Sequence, residues 1–299
     1  MIGRLDWDRD GADWPNRQAS RFMRAAGLRW HVQEAGRGPN ILLLHGTGAA
    51  THSWRALLGL LATHGRVLAP DLPGHGFTDV PQPGRMSLPA MSHLLGGLLD
   101  RLEFTPDVVV GHSAGAAIAA RMCLDGLIRP RALFSLNGAL MPIAGHASLV
   151  FPAAARVLAQ TRVVPWIFSL HASNRDLVSR MLGNTGSRLD DAELVHYRRL
   201  LRNPGHVSAA LQMMAHWDLA ALAADLPRLD VPVTLVVGSN DRMIPPGDAD
   251  KLRAILPQAR KVTLDGLGHL AHEEQPATVA AVIAAFLADL RAPQAVVVA

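Results

Sequence analysis

Asp107-Val-Val-Val-Gly-His-Ser113-Ala-Gly-Ala-Ala-Ile-Ala-Ala-Arg121 decides how this chain is read. An apolar, strand-like run over 107–110 stops at Gly111, and an alanine-rich stretch that reads as helix runs over 114–125. The turn between them, Gly111-His-Ser-Ala-Gly115, matches G-x-S-x-G. The string is short and weak by itself, but its place between a buried strand and a helix is what a nucleophile elbow needs. A bend this sharp puts Ser113 in a strained backbone conformation. Gly111 and Gly115 let strand and helix approach, and Ala114 and Ala116 keep the turn narrow. The free N–H groups and partial positive charge of the helix start then lie beside the hydroxyl.

The same alternation extends outward from this point. Short apolar runs at 41–45, 67–69, 133–136, 233–238 and 261–264 read as strands, and helix candidates fall at 53–63, 88–102, 247–256 and 276–290. Continuous apolar strands alternating with helices imply an α/β architecture, a mostly parallel sheet covered on both faces. A hairpin, Phe22–Ala25 then Leu28–Gln33, precedes them. The rhythm breaks between Asn137 and Leu229, where no buried strand is evident. The organisation expected is an N-terminal arm (1–20), a core (21–136 and 230–290), an inserted helical cap (137–229) and a C-terminal tail (291–299). The first part of the insertion is unusual: Gly126 to Arg175 contains no Asp or Glu, and arginines 129, 131, 156, 162 and 175 sit among apolar residues. These are either ordinary helices packing on the sheet or a lid over an apolar, anionic ligand.

A serine hydroxyl needs a base to take its proton, and the base needs a group to orient it. In an elbow of this kind the order along the chain is serine, acid, histidine. Asp241, in Gly238-Ser-Asn-Asp, and His269, in Gly266-Leu-Gly-His, supply it, each just after a strand. His272 competes as base and Asp248 and Asp265 as acid, less well placed. The donors expected for a developing oxyanion are the backbone N–H of Ala114 and that of Thr47 in His45-Gly-Thr-Gly48, with Gly48 the alternative to Thr47. His45 and His75 read as structural. His206 and His216 fall in the insertion, where they could touch a ligand. H-E-x-x-H, a P-loop and a complete G-x-G-x-x-G after a strand are all missing, so no metal and no cofactor are expected.

Bulk properties narrow the classes further. The 299 residues are 49% hydrophobic and 18% charged, a globular composition with ample core. The net charge of +4 rests almost wholly on arginine, Lys251 and Lys261 being the only lysines. No basic run is interleaved with aromatics, so nucleic acid is not an expected partner. A single cysteine, Cys123, rules out an intrachain disulfide. With no signal-peptide pattern and no uncharged apolar stretch of about 18 residues, the expected location is the cytoplasm, with peripheral membrane contact left open.

Across 21–290 the chain resembles the α/β-hydrolase superfamily, through His45-Gly-Thr-Gly, Asp71-Leu-Pro-Gly-His-Gly, Gly111-His-Ser-Ala-Gly, Gly238-Ser-Asn-Asp and Gly268-His. Thr78 stands where many relatives have serine, outside the proposed machinery. A narrower resemblance is to the magnesium-chelatase accessory proteins of bacteriochlorophyll biosynthesis. It is carried by Asp13-Trp-Pro-Asn, Gly46-Thr-Gly-Ala-Ala-Thr-His-Ser-Trp54, Arg85-Met-Ser-Leu-Pro89, Asn203-Pro-Gly-His-Val and Met213-Met-Ala-His-Trp-Asp218. The resemblance implies a small apolar substrate, with a tetrapyrrole as candidate, and chelatase subunits as candidate partners. Two functions follow: a serine hydrolase acting on an ester-type bond through Ser113, or a non-catalytic porphyrin-binding accessory protein.

Overall fold

The computed structural model describes residues 3–142, 163–171 and 175–291. Eight strands form one sheet: β1 (Ser20–Ala25), β2 (Leu28–Ala35), β3 (Asn40–Leu44), β4 (Arg66–Pro70), β5 (Val108–His112), β6 (Ala132–Leu136), β7 (Val233–Gly238) and β8 (Arg260–Leu264). Their spatial order is β1-β2-β4-β3-β5-β6-β7-β8. β2 runs antiparallel to both its neighbours, and every other pairing is parallel. Among the described residues the helices, in chain order, are α1 (Trp7–Asp10), α2 (Leu57–Ala62), α3 (Leu88–Leu102), α4 (Ala114–Leu124), α5 (Val163–His171), α6 (Arg175–Gly183), α7 (Asp191–Leu201), α8 (Pro204–Ala215), α9 (Leu219–Asp225), α10 (Asp248–Ile255), α11 (Ala271–Glu274) and α12 (Pro276–Arg291). The helix expected over 53–63 is interrupted: a 3₁₀ turn, Thr51–Trp54, comes first and α2 follows it.

Strand alternation builds two cores. Leu42, Leu44, Val109 and Leu133 face one side with α3, α4 and α10, while Ile41, Leu43, Val108, Val110 and Phe134 face the other with α2 and α12. The segment between β6 and β7 contributes helices α5 to α9 and, among the described residues, no strand. Local chemistry sets these helix starts. Asp190 and Glu193 form a capping box on α7, and Asn203 caps α8 ahead of Pro204. Arg156, Arg162 and residues 292–299, singled out in the sequence, lie outside the described residues. Among those described, no helix is long and apolar enough to cross a membrane.

Two buried devices hold the sheet's C-terminal edge. The first is the contact of α4 with the strands: a Cβ on Gly115 would lie 2.0 Å from the Leu44 carbonyl oxygen, and one on Gly111 would lie 2.5 Å from the Ala116 backbone. The second is Asp71, fully buried, which accepts from the Thr51 N–H (2.7 Å), the Phe77 N–H (2.9 Å) and the His31 imidazole (2.8 Å). It fastens the turn after β4 to the 3₁₀ turn after β3. Burial pushes the Asp71 carboxyl up, but the facing His31 and these donors outweigh it and hold it at about 2.

Gly115→Ala is expected to cost more than about 3 kcal/mol or to prevent folding, since no side chain can move aside from a backbone oxygen. Gly59→Ala, on α2 with open space around it, should instead gain up to about 1 kcal/mol from helix propensity. Urea denaturation distinguishes the two. Asp71 takes up its proton at lower pH folded than at its ordinary value of 3.8. Its contribution is therefore fully present above that value and is lost as pH falls toward about 2. Asp71→Asn should lower neutral-pH stability by on the order of 2 kcal/mol and flatten the stability profile across that acid window.

Candidate active site

Because β3, β5, β6, β7 and β8 are parallel, the residues that follow each of them emerge along one edge of the sheet. His45–Gly48, Ser113, Asn137, Asp241 and His269 all lie there. Ser113 caps α4 with φ 51 and ψ −118, a left-handed conformation rare for a residue with a side chain. The strain is held by backbone bonds. Its N–H donates to the Leu136 carbonyl (3.1 Å), and its carbonyl accepts from Ala116 (3.1 Å) and Ala139 (3.0 Å). Ala114 begins α4, and an N–H in the first turn of a helix has no intrahelical acceptor. Above the serine lies the loop after β3, so close that a Cβ on Gly46 would stand 3.0 Å from Ser113 Cβ. This loop carries Thr47. Its hydroxyl donates to Met213 Sδ (3.5 Å), and the Gly48 carbonyl next to it accepts from His206 Nε2 (3.1 Å).

The structure brings Asp241 and His269 together. His269 Nδ1 donates to Asp241 Oδ2 at 2.8 Å, with both residues buried. The other carboxylate oxygen, Oδ1, accepts from the Met243 N–H (2.8 Å) and the Ile244 N–H (3.0 Å), which fixes the carboxylate plane. A proton on Nδ1 leaves Nε2 of a neutral ring as the free base. Among the described residues Ser113 makes no hydrogen bond to this ring, and such contacts are often long before a substrate is bound.

The backbone of His269 is clamped by two buried side chains. His112 Nε2 donates to its carbonyl at 2.9 Å, and Asn137 Nδ2 donates to the same carbonyl and to that of Gly268, both at 2.9 Å. Asn137 Oδ1 accepts from the Gly238 N–H at 2.8 Å. One asparagine, itself at φ 44, thus ties the ends of β6 and β7 to the loop after β8. Burial, reinforced by the adjacent His272 and His269, holds the His112 imidazole well below its ordinary pKa, so it stays neutral. Sequence reasoning passed over both residues in this role. Their only signal was a polar side chain directly at the C-terminal end of a buried strand.

The competing groups have other partners. His272 is buried and faces Ser53 Oγ (2.9 Å), which also donates to Glu273 Oε1 (2.6 Å). Glu273, whose carboxyl is raised by burial despite Arg55, also binds Tyr197 of α7 and Arg55. Asp248 pairs with Lys251 (2.7 Å), and Asp265 is exposed. His45 accepts the Leu72 N–H (2.9 Å) on Nε2 and donates from Nδ1 to the Gly46 carbonyl (2.8 Å), so it joins the loop after β3 to the turn after β4. His206, a candidate ligand contact from sequence, joins the Gly76 N–H (3.2 Å) to the Gly48 carbonyl, and burial holds it at about 4. His216 is exposed at the end of α8. Thr78 accepts the His31 N–H (3.0 Å). No group of three or more His, Cys, Asp or Glu that could hold a metal occurs among the described residues.

Residues 39–276 match the family model described as alpha/beta hydrolase fold. The chain is 39% identical over 264 residues to the magnesium-chelatase 30 kDa subunit of Rhodobacter capsulatus, covering 88% of this chain and 92% of that one. It is 26% identical to the 2-hydroxymuconate semialdehyde hydrolase of a Pseudomonas species, covering 91% and 95%. Among solved structures, an alpha/beta hydrolase fold protein from Burkholderia ambifaria superposes with a TM-score of 0.72 at 27% identity, covering 89% of this chain and 97% of that one. With its sheet order, its strained serine and these matches, the chain belongs to the α/β-hydrolase family.

Proposed function

We propose that this protein is a serine hydrolase that cleaves an ester-type bond through an acyl-enzyme. The observation that carries the reading is the 2.8 Å bond between His269 Nδ1 and Asp241 Oδ2, on the edge of the sheet that also carries the strained Ser113. Ser113 Oγ attacks the acyl carbon as His269 Nε2 takes its proton. Asp241 holds the ring in the tautomer that leaves Nε2 free and stabilises the imidazolium that forms. The oxyanion is met by the N–H groups of Ala114 and Thr47, the loss of one such donor typically costing about 10²–10³ in rate. His269 then protonates the departing alkoxide, and the acyl group remains on Ser113. Water, deprotonated by the same imidazole, releases the acid and restores the serine. Residues 137–229 would act as the cap over this edge, with Met213 of α8 bordering the Thr47 loop.

The 39% identity to a magnesium-chelatase subunit favours a setting in magnesium–tetrapyrrole synthesis, with an apolar ester, a tetrapyrrole among the candidates, as substrate. The same similarity supports a second reading, in which the protein binds a porphyrin or contacts chelatase subunits while Ser113 stays idle. A serine-directed fluorophosphonate should label Ser113 and no other residue, with Ser113→Ala as control. Absence of labelling on folded protein would move the reading to the accessory role. In a magnesium-chelation assay, full support from Ser113→Ala would likewise show that chelation does not need the hydroxyl.

Asn137→Ala removes both clamping donors of that side chain and leaves the Gly238 N–H unpaired, a cost of roughly 1–3 kcal/mol in stability. Its effect on the hydrolysis of a p-nitrophenyl ester should fall on kcat far more than on KM, because it shifts the base and not the acyl pocket. A change confined to KM would remove Asn137 from any part in positioning His269.

A further inference from the structure

The N-terminal arm and the last turn of α7 enclose an open cleft of about 560 Å³ whose charges are out of balance. Arg9, Arg198, Arg199 and Arg202 line it, against one carboxylate, Asp10. Two of these arginines are already committed. Arg9 binds the Asp10 carboxylate, and Arg199 binds both Asp13 oxygens (2.6 and 2.8 Å) and the Asp10 carbonyl (2.6 Å). Arg198 and Arg202 have no ion pair among the described residues. The residues outside that set contain no Asp or Glu that could supply one. At i and i+4 the two guanidinium stems rise from one helix face, about 5–6 Å apart at Cβ. The C-terminal end of a helix favours cations, which accounts for arginine on the last turn of α7. It does not account for the concavity, nor for a further arginine brought in by a separate segment of chain.

The arm is fastened, so the cleft is formed in advance. The Gly205 N–H donates to the Gly3 carbonyl (3.3 Å), Arg4 pairs with Asp79 (2.9 Å), and Trp7 packs edge-on to Phe22 and Phe77. Leu5 and Val195 add an apolar wall. The volume is within the range of small-molecule sites, about 300–1,000 Å³. Guanidinium groups recognise phosphate and carboxylate by paired, charge-assisted hydrogen bonds. We propose that this cleft binds a small organic polyanion carrying a phosphate or paired carboxylates, with Arg198 and Arg202 as its anchors. The site is separate from Ser113 and does not depend on the hydrolase reading.

Calorimetric titration at low salt with pyrophosphate and, separately, with citrate tests it, on the full chain and on Arg198→Gln/Arg202→Gln. Glutamine keeps the side-chain stems at half-buried Arg198 and exposed Arg202, and an unchanged Tm with an unchanged far-UV circular dichroism spectrum reports the fold. If the double variant does not fold, the single variants take its place. The expected result is saturable one-to-one binding of at least one probe, weakened roughly tenfold or more in the variant and by added salt. Pyrophosphate alone would identify phosphate as the recognised group, and citrate alone paired carboxylates. No saturable binding of either probe, or equal affinity in the variant, would overturn the proposal.

Discussion

Everything at the candidate site depends on how closely helix α4 approaches the sheet. At Gly115 the helix backbone lies against the Leu44 carbonyl so tightly that a methyl group would overlap it. That approach forces the chain to turn within one residue, and Ser113 takes the resulting positive φ. The strain persists because the surroundings over-determine it. The alanines of α4 are buried on all sides, and the serine backbone is bonded at both its N–H and its carbonyl. A hydroxyl presented on so short a bend stands clear of its own strand and helix, beside the start of α4.

The remaining loops are set by buried side chains that bond mostly to backbone. Asp71 gathers two backbone N–H groups and one imidazole. His45 and His206 bridge from the loop after β3 to the turn after β4, and Asn137 and His112 converge on the His269 carbonyl. In a low-dielectric interior an unpaired amide or carbonyl is costly, so each such bond fixes a loop to within its own narrow geometry. The histidines can serve because burial keeps His45, His112 and His206 below their ordinary pKa. A neutral ring has one donor and one acceptor, and His45 and His206 use both, each joining two loops.

The helices between β6 and β7 are tied to the same frame. Tyr197 of α7 reaches Glu273, four residues after His269, and Arg55 joins Glu273 to Glu193 of α7. Breaking one partner of this buried group would leave a desolvated charge, so α7 and the loop after β8 are held as a unit. Met213 and His206 of α8 touch the loop that carries Thr47. These helices therefore border both ends of the candidate site, α8 at the loop that carries Thr47 and α7 at Glu273 beyond His269.

The sequence by itself determined the alternation of strands and helices, the elbow at Ser113 and the chain order of serine, aspartate and histidine. These are local: hydrophobic period, glycine spacing and the residue after a strand are visible within a dozen positions. It also carried the family, since its motifs lie at the ends of strands that any parallel sheet aligns. What it did not carry was contact between distant segments. Asn137 looked like the first residue of an insertion and His206 like a ligand contact, while nothing in the local pattern singled out Arg198 or Arg202. Only the tertiary structure brought Asn137 to the Gly238 N–H and the His269 carbonyl, His206 to Gly48, and the N-terminal arm to α7. Such contacts join residues about a hundred positions or more apart, and their partners are mostly backbone groups, which every residue possesses and which leave no mark in the order of side chains.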